Sequence, residues 1–248
     1  MVRRAARRPK GDLTNRLLAT QGSLPEPPTL AQVVGSAFPR SRHETRTWLV
    51  AQARVTARGA GETVLAQGEQ TRTLLVLDGH VGYRRTAPDG RELIPRVVSS
   101  GEIASLLPLA GRPSVVEAVA LSPSRVALWA ASDLQARAAD DAGLALDLLE
   151  HVLLSFEAVV ERLEGFLYQN ALRRVARVLE LHGGMLFSEA GVLSRRFLPA
   201  LVGTSREMTR RVLRSLEAKG VVARVGSDGL ELLDAAALAQ TAAPRHGA

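Results

Sequence analysis

The chain of 248 residues has no cysteine. That absence removes disulfides, thiolate zinc sites, cysteine-ligated iron–sulfur clusters and cysteine nucleophiles. Lysine is nearly absent too, with only Lys10 and Lys219, so arginine carries the positive charge. No apolar run approaches the roughly 20 residues of a membrane span. The arginine-rich start "MVRRAARRPK" leads into no apolar signal-peptide core. A cytoplasmic protein is the expectation. Histidines are few and stand singly, at His43, His80, His151 and His182 among others, which offers neither a clustered metal site nor an evident haem ligand. There is no GxxxxGK[ST] phosphate loop. No catalytic residue, metal or cofactor can be nominated, and a non-enzyme is expected.

What is present is a foldable composition, 46% apolar, in a chain long enough for two modest domains. The formal charge of +7 points to a polyanionic partner, provided the charge is localised. Residues 1–30 read as a basic, proline-rich tail or linker, because Pro25, Pro27 and Pro28 cannot donate backbone hydrogen bonds. Residues 31–135 contain short β-type runs divided by glycine turns, among them "TVLAQGE", "TLLVLDGHVGYRR" and "RVALWA". Asp78-Gly79 and Asp89-Gly90 are turn pairs, and the whole reads as a small antiparallel β-roll with flanking helices.

From 136 to 169 the period becomes helical. Leu146, Leu149, Leu153, Phe156, Val160, Leu163 and Leu167 alternate spacings of three and four, a heptad seam of about three repeats on one long helix. Leu148, Val152 and Val159 supply a second stripe for docking on the roll. Two stripes imply two partners, so the seam is assigned to homodimerisation. Residues 170–236 run from an Asn170 N-cap through a helix ended by Gly183-Gly184, then helix, turn, helix, and two short strands around Ser227-Asp228-Gly229. That is the layout of a winged helix-turn-helix, with 237–248 left as a C-terminal tail. The fold class expected is α+β.

The second of the paired helices is "GTSREMTRRVLRSLEAKG". Thr204 is the expected N-cap, with Glu207 closing a capping box. At about 100° per residue, Arg206, Glu207, Arg210, Arg211 and Arg214 share one face, and Met208, Val212, Leu213 and Leu216 lie roughly opposite. A solvated face normally interleaves signs; here Glu207 is the lone acid. Phosphates and guanine edges would neutralise such a face. The first helix, "LSRRFLPALVG", offers Ser194 as N-cap, Arg195 and Arg196 for phosphate, and Gly203 for the turn, while Pro199 should shorten or bend it. A charged solvent face, with Glu207 serving only its cap, is the alternative.

With those residues placed, the chain resembles the cyclic-AMP receptor protein and fumarate-nitrate regulator family of bacterial transcription factors over residues 55 to 234. The most specific piece is "LVGTSREMTRRVLRSLEAKGVV". The resemblance implies a cyclic-nucleotide-binding-like roll, a homodimer and double-stranded DNA as partner. It implies base contacts from Arg206, Glu207 and Arg211 in TGTGA-like half-sites of an inverted repeat, with recognition helices roughly 34 Å apart. Ser205, Arg195, Arg196, Arg210 and Arg214 would hold phosphate or support the contact. RNA polymerase is a further implied partner, met through a surface segment such as "LHGGMLFSEAG", and an activator is the implied role.

The effector pocket departs from that family. Where cyclic-nucleotide sensors carry a glycine-glutamate pair and an arginine-serine pair, this chain has Ser105-Leu106 and Pro113-Ser114, with Arg112 as the one nearby cation. Val159 and Val160 stand where the cyclic-AMP sensor has hydroxyls. Burying an unpaired phosphate there would cost several kcal/mol, so cyclic AMP is not expected to bind. The competing readings are a non-specific architectural DNA binder and a cupin-like enzyme built on the roll.

Overall fold

The structure, a computed structural model, describes residues 27–187, 195–226 and 229–243. The arginine-rich start and the proposed Ser194 cap lie outside the described residues. Two helices open the described chain, α1 (Leu30–Ala37) and α2 (His43–Gln52). A capping box fixes the first: the Thr29 hydroxyl accepts from Gln32 N–H, and the Gln32 side chain accepts from Thr29 N–H.

Eight strands follow: β1 (Arg54–Arg58), β2 (Thr63–Leu65), β3 (Arg72–Asp78), β4 (Val81–Thr86), β5 (Glu92–Val98), β6 (Ile103–Ala104), β7 (Glu117–Ala120) and β8 (Ser124–Ala130). They form two antiparallel sheets, in the orders β1-β8-β3-β6 and β2-β7-β4-β5. Gly79 and Gly90 both take a φ of +80°, as their Asp-Gly pairs predicted. Pro95 sits in β5 where the register with β4 shifts, so its missing N–H interrupts no regular ladder.

Alternation explains how the layers stack. Leu74, Val76, Val81, Val98, Ala118, Ala120, Val126 and Leu128 fill the space between the sheets. The opposite faces are also buried, which is why β3 reads as an unbroken apolar run. Leu75, Leu77, Ala127 and Trp129 meet α1, α2 and the helices after the roll, and Trp129 Nε1 donates to the Leu49 carbonyl at 2.9 Å. Ile94 and Val119, on the second sheet, and Leu121, just past β7, pack instead into the core of the C-terminal domain.

The long helix differs from the expectation. A separate α3 (Ala131–Asp140) comes first, and α4 (Ala142–Tyr168) begins only after Asp141, whose carboxylate accepts from Gly143 N–H at 3.0 Å. A Cβ at Gly143 would overlap the Arg40 carbonyl, so the tight approach of the α1–α2 turn fixes where α4 starts. The docking stripe is also corrected. Leu148 is buried, but Val152 and Val159 are exposed; Leu144, Asp147 and His151 take the rest of the roll-facing side. Polar side chains fill that side because the α1–α2 turn presents backbone N–H and C=O groups that need partners. Among the described residues no helix is long and apolar enough to cross a membrane.

The C-terminal domain comprises α5 (Ala171–Leu181), α6 (Gly183–Leu186), a 3-10 turn (Arg195–Phe197), α7 (Leu198–Val202), α8 (Arg206–Ala218), β9 (Val222–Val225), β10 (Gly229–Leu232) and α9 (Ala235–Ala242). The Asn170 side chain caps α5, accepting from Arg173 N–H at 3.1 Å. Gly183-Gly184 does not simply terminate that helix; the two glycines open the one-turn α6. β9 and β10 pair antiparallel as the wing. The segment expected as a tail is helical through Ala242 and packs on α5, because Asp234 caps it and Leu238 and Ala242 are buried.

Candidate nucleic-acid interface

The helix-turn-helix is built around Gly203. Its φ of +68° lets the chain reverse after α7, and its N–H closes on the Pro199 carbonyl at 2.9 Å. Pro199 falls in the first turn of α7, where no intrahelical donor is needed, and α7 is accordingly a five-residue helix. The start of α8 corrects the sequence reading by one residue. Ser205, not Thr204, is the N-cap: its hydroxyl accepts from Met208 N–H at 3.1 Å. With the cap one residue later, Glu207 falls at the second helical position, too early to close a capping box. Its carboxylate pairs forward with Arg211 at 3.2 Å instead.

Helix α8 turns Thr209, Val212, Leu213 and Leu216 into the core. Its polar face divides into two flanks. Arg206, Arg210 and Arg214, with Arg195 and Arg196 before α7 and Arg224 on β9, line one cavity of about 620 Å³. Pro199, Thr209 and Leu213 complete its lining. The other flank carries the exposed Glu207–Arg211 pair. The arginines named as phosphate contacts are therefore gathered around one hollow, and two of the three base-reading candidates are paired beside it.

Two features of this hollow were missed in the sequence. Arg224 is held by Glu217 through two hydrogen bonds of 2.6 and 2.8 Å, which hold the Glu217 carboxyl below its ordinary range. A strand arginine seven residues beyond a helix glutamate carries no helical periodicity to reveal the pairing. Arg196 also reaches away from the hollow: its Nη2 donates to the Ala60 carbonyl of the β1–β2 turn at 2.9 Å, and its guanidinium lies over Phe197 at 4.7 Å.

The heptad seam is solvent-facing. Leu146, Leu149, Leu153, Phe156, Val160, Leu163 and Leu167 are exposed, from 38% at Val160 to 67% at Phe156. The effector-pocket candidates are dispersed in environment. Ser105 and Ser114 are buried, Leu106 is half-buried, and Arg112, Pro113, Val159 and Val160 are exposed. The Arg112 backbone N–H donates to the Leu107 carbonyl at 3.1 Å, while its side chain makes no hydrogen bond or ion pair among the described residues.

The roll instead holds a charged residue not singled out in the sequence. Arg96 on β5 is buried, its Nη2 donating to Glu102 at 2.9 Å while Nη1 has no partner. Across the strand pair, the Tyr83 hydroxyl accepts from Ser105 N–H at 3.0 Å. Ser105 adopts a φ of 59°, the one positive value at a non-glycine residue among those described. An arginine inside the alternating run "ELIPRVV", two residues from Val98 on the same face, was the available signal for Arg96. Of the segment assigned to polymerase contact, residues 188–191 lie outside the described residues.

Comparison with known proteins agrees with this geometry. A cyclic nucleotide-binding domain model matches residues 58–141, and a Crp-like helix-turn-helix domain model matches residues 173–241. Together they take in more than half of the chain. Fold and matches define a DNA-binding transcription regulator with a sensor-type roll. The chain belongs to the Crp/Fnr family.

No curated protein gave a significant sequence match. Among solved structures, FixK2 from Bradyrhizobium japonicum shares 23% identity, with a TM-score of 0.64 over 77% of this chain and 98% of its own. A CRP/FNR-family transcriptional regulator from Thermus thermophilus shares 24%, with a TM-score of 0.66 over 76% and 98%. The c-di-GMP responsive global regulator CLP of Xanthomonas campestris shares 20%, with a TM-score of 0.62 over 78% and 100%. At these identities the likeness is one of fold.

Proposed function

We propose that this regulator binds an inverted-repeat DNA site as a homodimer and reads it with α8, independently of cyclic AMP. The observation that carries the reading is the division of the α8 polar face. Six arginines around one hollow suit a phosphate strand, whose contacts fix register without carrying sequence information. The Glu207–Arg211 flank suits base edges, with arginine forking onto guanine O6/N7 and glutamate accepting from cytosine N4. Arg206, which lines the hollow, completes the base-reading set. Ser205, Arg195, Arg196, Arg210 and Arg214 hold the backbone.

Dimerisation is supported by the exposed row from Leu146 to Leu167. Burying a large apolar side chain is worth about 1.5–3 kcal/mol, and an unpaired seam of seven forgoes most of that. Independence from cyclic AMP is supported by the pocket chemistry. Neither Pro113 nor Ser114 is basic, and the buried Arg96 commits its Nη2 to Glu102, leaving Nη1 alone without a partner. The role assigned is activation through RNA polymerase.

Selection of bound sites from random DNA, with and without cyclic AMP, tests the reading. TGTGA-like half-sites in an inverted repeat, unchanged by cyclic AMP, are expected. Retention of all sequences equally would mark a phosphate-only, architectural binder. Replacing Leu153 and Val160 together with glutamate should give a monomer by light scattering and abolish tight binding to the full repeat; a surviving dimer would overturn the seam assignment.

A further inference from the structure

Two arginines meet on one aromatic ring where the roll, α4 and the DNA-binding domain join, with two histidines within electrostatic reach. His80 comes from the β3–β4 turn, Arg162 from the C-terminal half of α4, Arg174 from α5, and His182 from the residue that ends α5. Phe166 organises the arginines: the guanidinium of Arg162 lies 5.2 Å from its ring centroid, and that of Arg174 5.6 Å.

These arginines are short of partners. Arg162 makes one hydrogen bond, from Nη2 to the Ile94 carbonyl at 3.4 Å. Arg174 makes one, from Nη1 to the Gln169 carbonyl at 3.2 Å. Each guanidinium has five N–H donors, and the Nε of both is sealed from solvent with no acceptor. Among the described residues no carboxylate lies within 4 Å of either. Both side chains are half-buried with a sealed Nε, and cation–π contact, worth about 0.5–2 kcal/mol, does not replace the missing acceptors.

The surroundings register that deficit. Burial, and then the charge of Arg174, brings the Arg162 guanidinium down to about 10. Burial, then Arg162, then His80, brings His182 down to about 4. His80 is lowered by burial, against the pull of Asp78 and Glu102.

We propose that this junction is a binding site for a phosphate-type oxyanion, held by Arg162 and Arg174 and flanked by His80 and His182. The unused N–H groups are its donors, and the two imidazoles take up protons as it binds. Its ligands come from the roll, the long helix and the DNA-binding domain, so occupancy changes how firmly the reading domain is docked. The anion is therefore an effector, placed at the domain junction and outside the roll interior. Free inorganic phosphate and the phosphate group of a small ester share the required chemistry.

Thermal unfolding of the full chain provides the test, with inorganic phosphate or AMP titrated against potassium chloride of equal ionic strength, at pH 7.5 and 6.0. A saturable rise in Tm is expected, with tighter binding at pH 6.0. A response to AMP alone assigns a phosphate ester, and a response to both assigns the free ion as sufficient. Arg174→Leu should weaken the anion at least tenfold, and in chloride it should be no less stable than the parent because it relieves repulsion. His182→Gln, which leaves both arginines in place, should remove most of the pH dependence. Arg210→Ala, in the α8 hollow, should leave the response intact. The proposal is overturned if neither ligand gives a saturable shift. It is equally overturned if the shift survives Arg174→Leu and His182→Gln unchanged while Arg210→Ala abolishes it.

Discussion

In its N-terminal half, α4 buries Asp147 with both oxygens occupied. They accept from the backbone N–H groups of Arg40 and Ser41, from the Ser41 hydroxyl and from the Arg40 guanidinium, at 3.0 to 3.4 Å. One turn on, His151 Nε2 meets the Ala37 carbonyl at 3.1 Å. In its C-terminal half the same helix half-buries Arg162 with one long hydrogen bond and an orphaned Nε. A buried charge whose bonding positions are filled fixes a geometry. A half-buried charge with vacancies would leave the adjoining surfaces responsive to an anion that fills them, as proposed above. The first half of α4 thus belongs to the roll as a clasp, and the second mediates between roll and reading domain.

The largest effect expected from testing this contrast is at Asp147. Asp147→Ala orphans the N–H groups of Arg40 and Ser41 and should cost about 2–4 kcal/mol in urea unfolding. A loss of similar size for Arg174→Leu would erase the distinction between the two halves.

Next comes pH. The folded chain holds His182 near 4, below the ordinary 6.5, so the docked junction favours the neutral ring. Its contribution is complete above about 6.5 and is lost as pH falls towards 4, because the exposed imidazole protonates first. The loss should reach at most about 3 kcal/mol, and His182→Gln should flatten it in pH-dependent unfolding.

The smallest effects concern the exposed arginines of α8, where charge stays in water until DNA arrives. Arg211→Ala should weaken a matched site by about 1–3 kcal/mol and relax one base position. Arg210→Ala should weaken all sequences alike and lower the salt slope by about one. Electrophoretic binding assays across a salt series separate the two. Identical behaviour of the variants would remove the division of the α8 face into two flanks.

The strands of the roll, the two helices around Gly203 and the wing were legible in the sequence because each depends on local periodicity or on a glycine turn. The shared polar face of Arg206, Glu207 and Arg211 was legible for the same reason, while their base-reading role came from the family resemblance. What escaped was set by contacts distant in sequence. The late start of α4 depends on Gly143 meeting the Arg40 carbonyl, and the polar docking side of α4 depends on a turn more than a hundred residues earlier. The shift of the α8 cap from Thr204 to Ser205 is a choice between adjacent hydroxyl residues, decided by how the chain leaves Gly203. Arg96 left a signal in its alternating strand, but the partners of Arg96 and Arg224 were hidden because a lone arginine in a short strand does not announce what lies across from it.

Gly203 has a second neighbour besides its turn. A Cβ there would overlap the Phe166 ring and come within 3.2 Å of Leu93 on β5. The reversal that sets the angle of α8 therefore rests against an aromatic ring carried by α4 and flanked by Arg162 and Arg174. Mechanically this is a fulcrum. Any rotation of α4 would press on the turn itself and so on the helix proposed to read DNA. The same absent methyl group that permits the reversal also lets the ring seat, so the pitch of the reading helix and its coupling to the rest of the molecule stand or fall at one position.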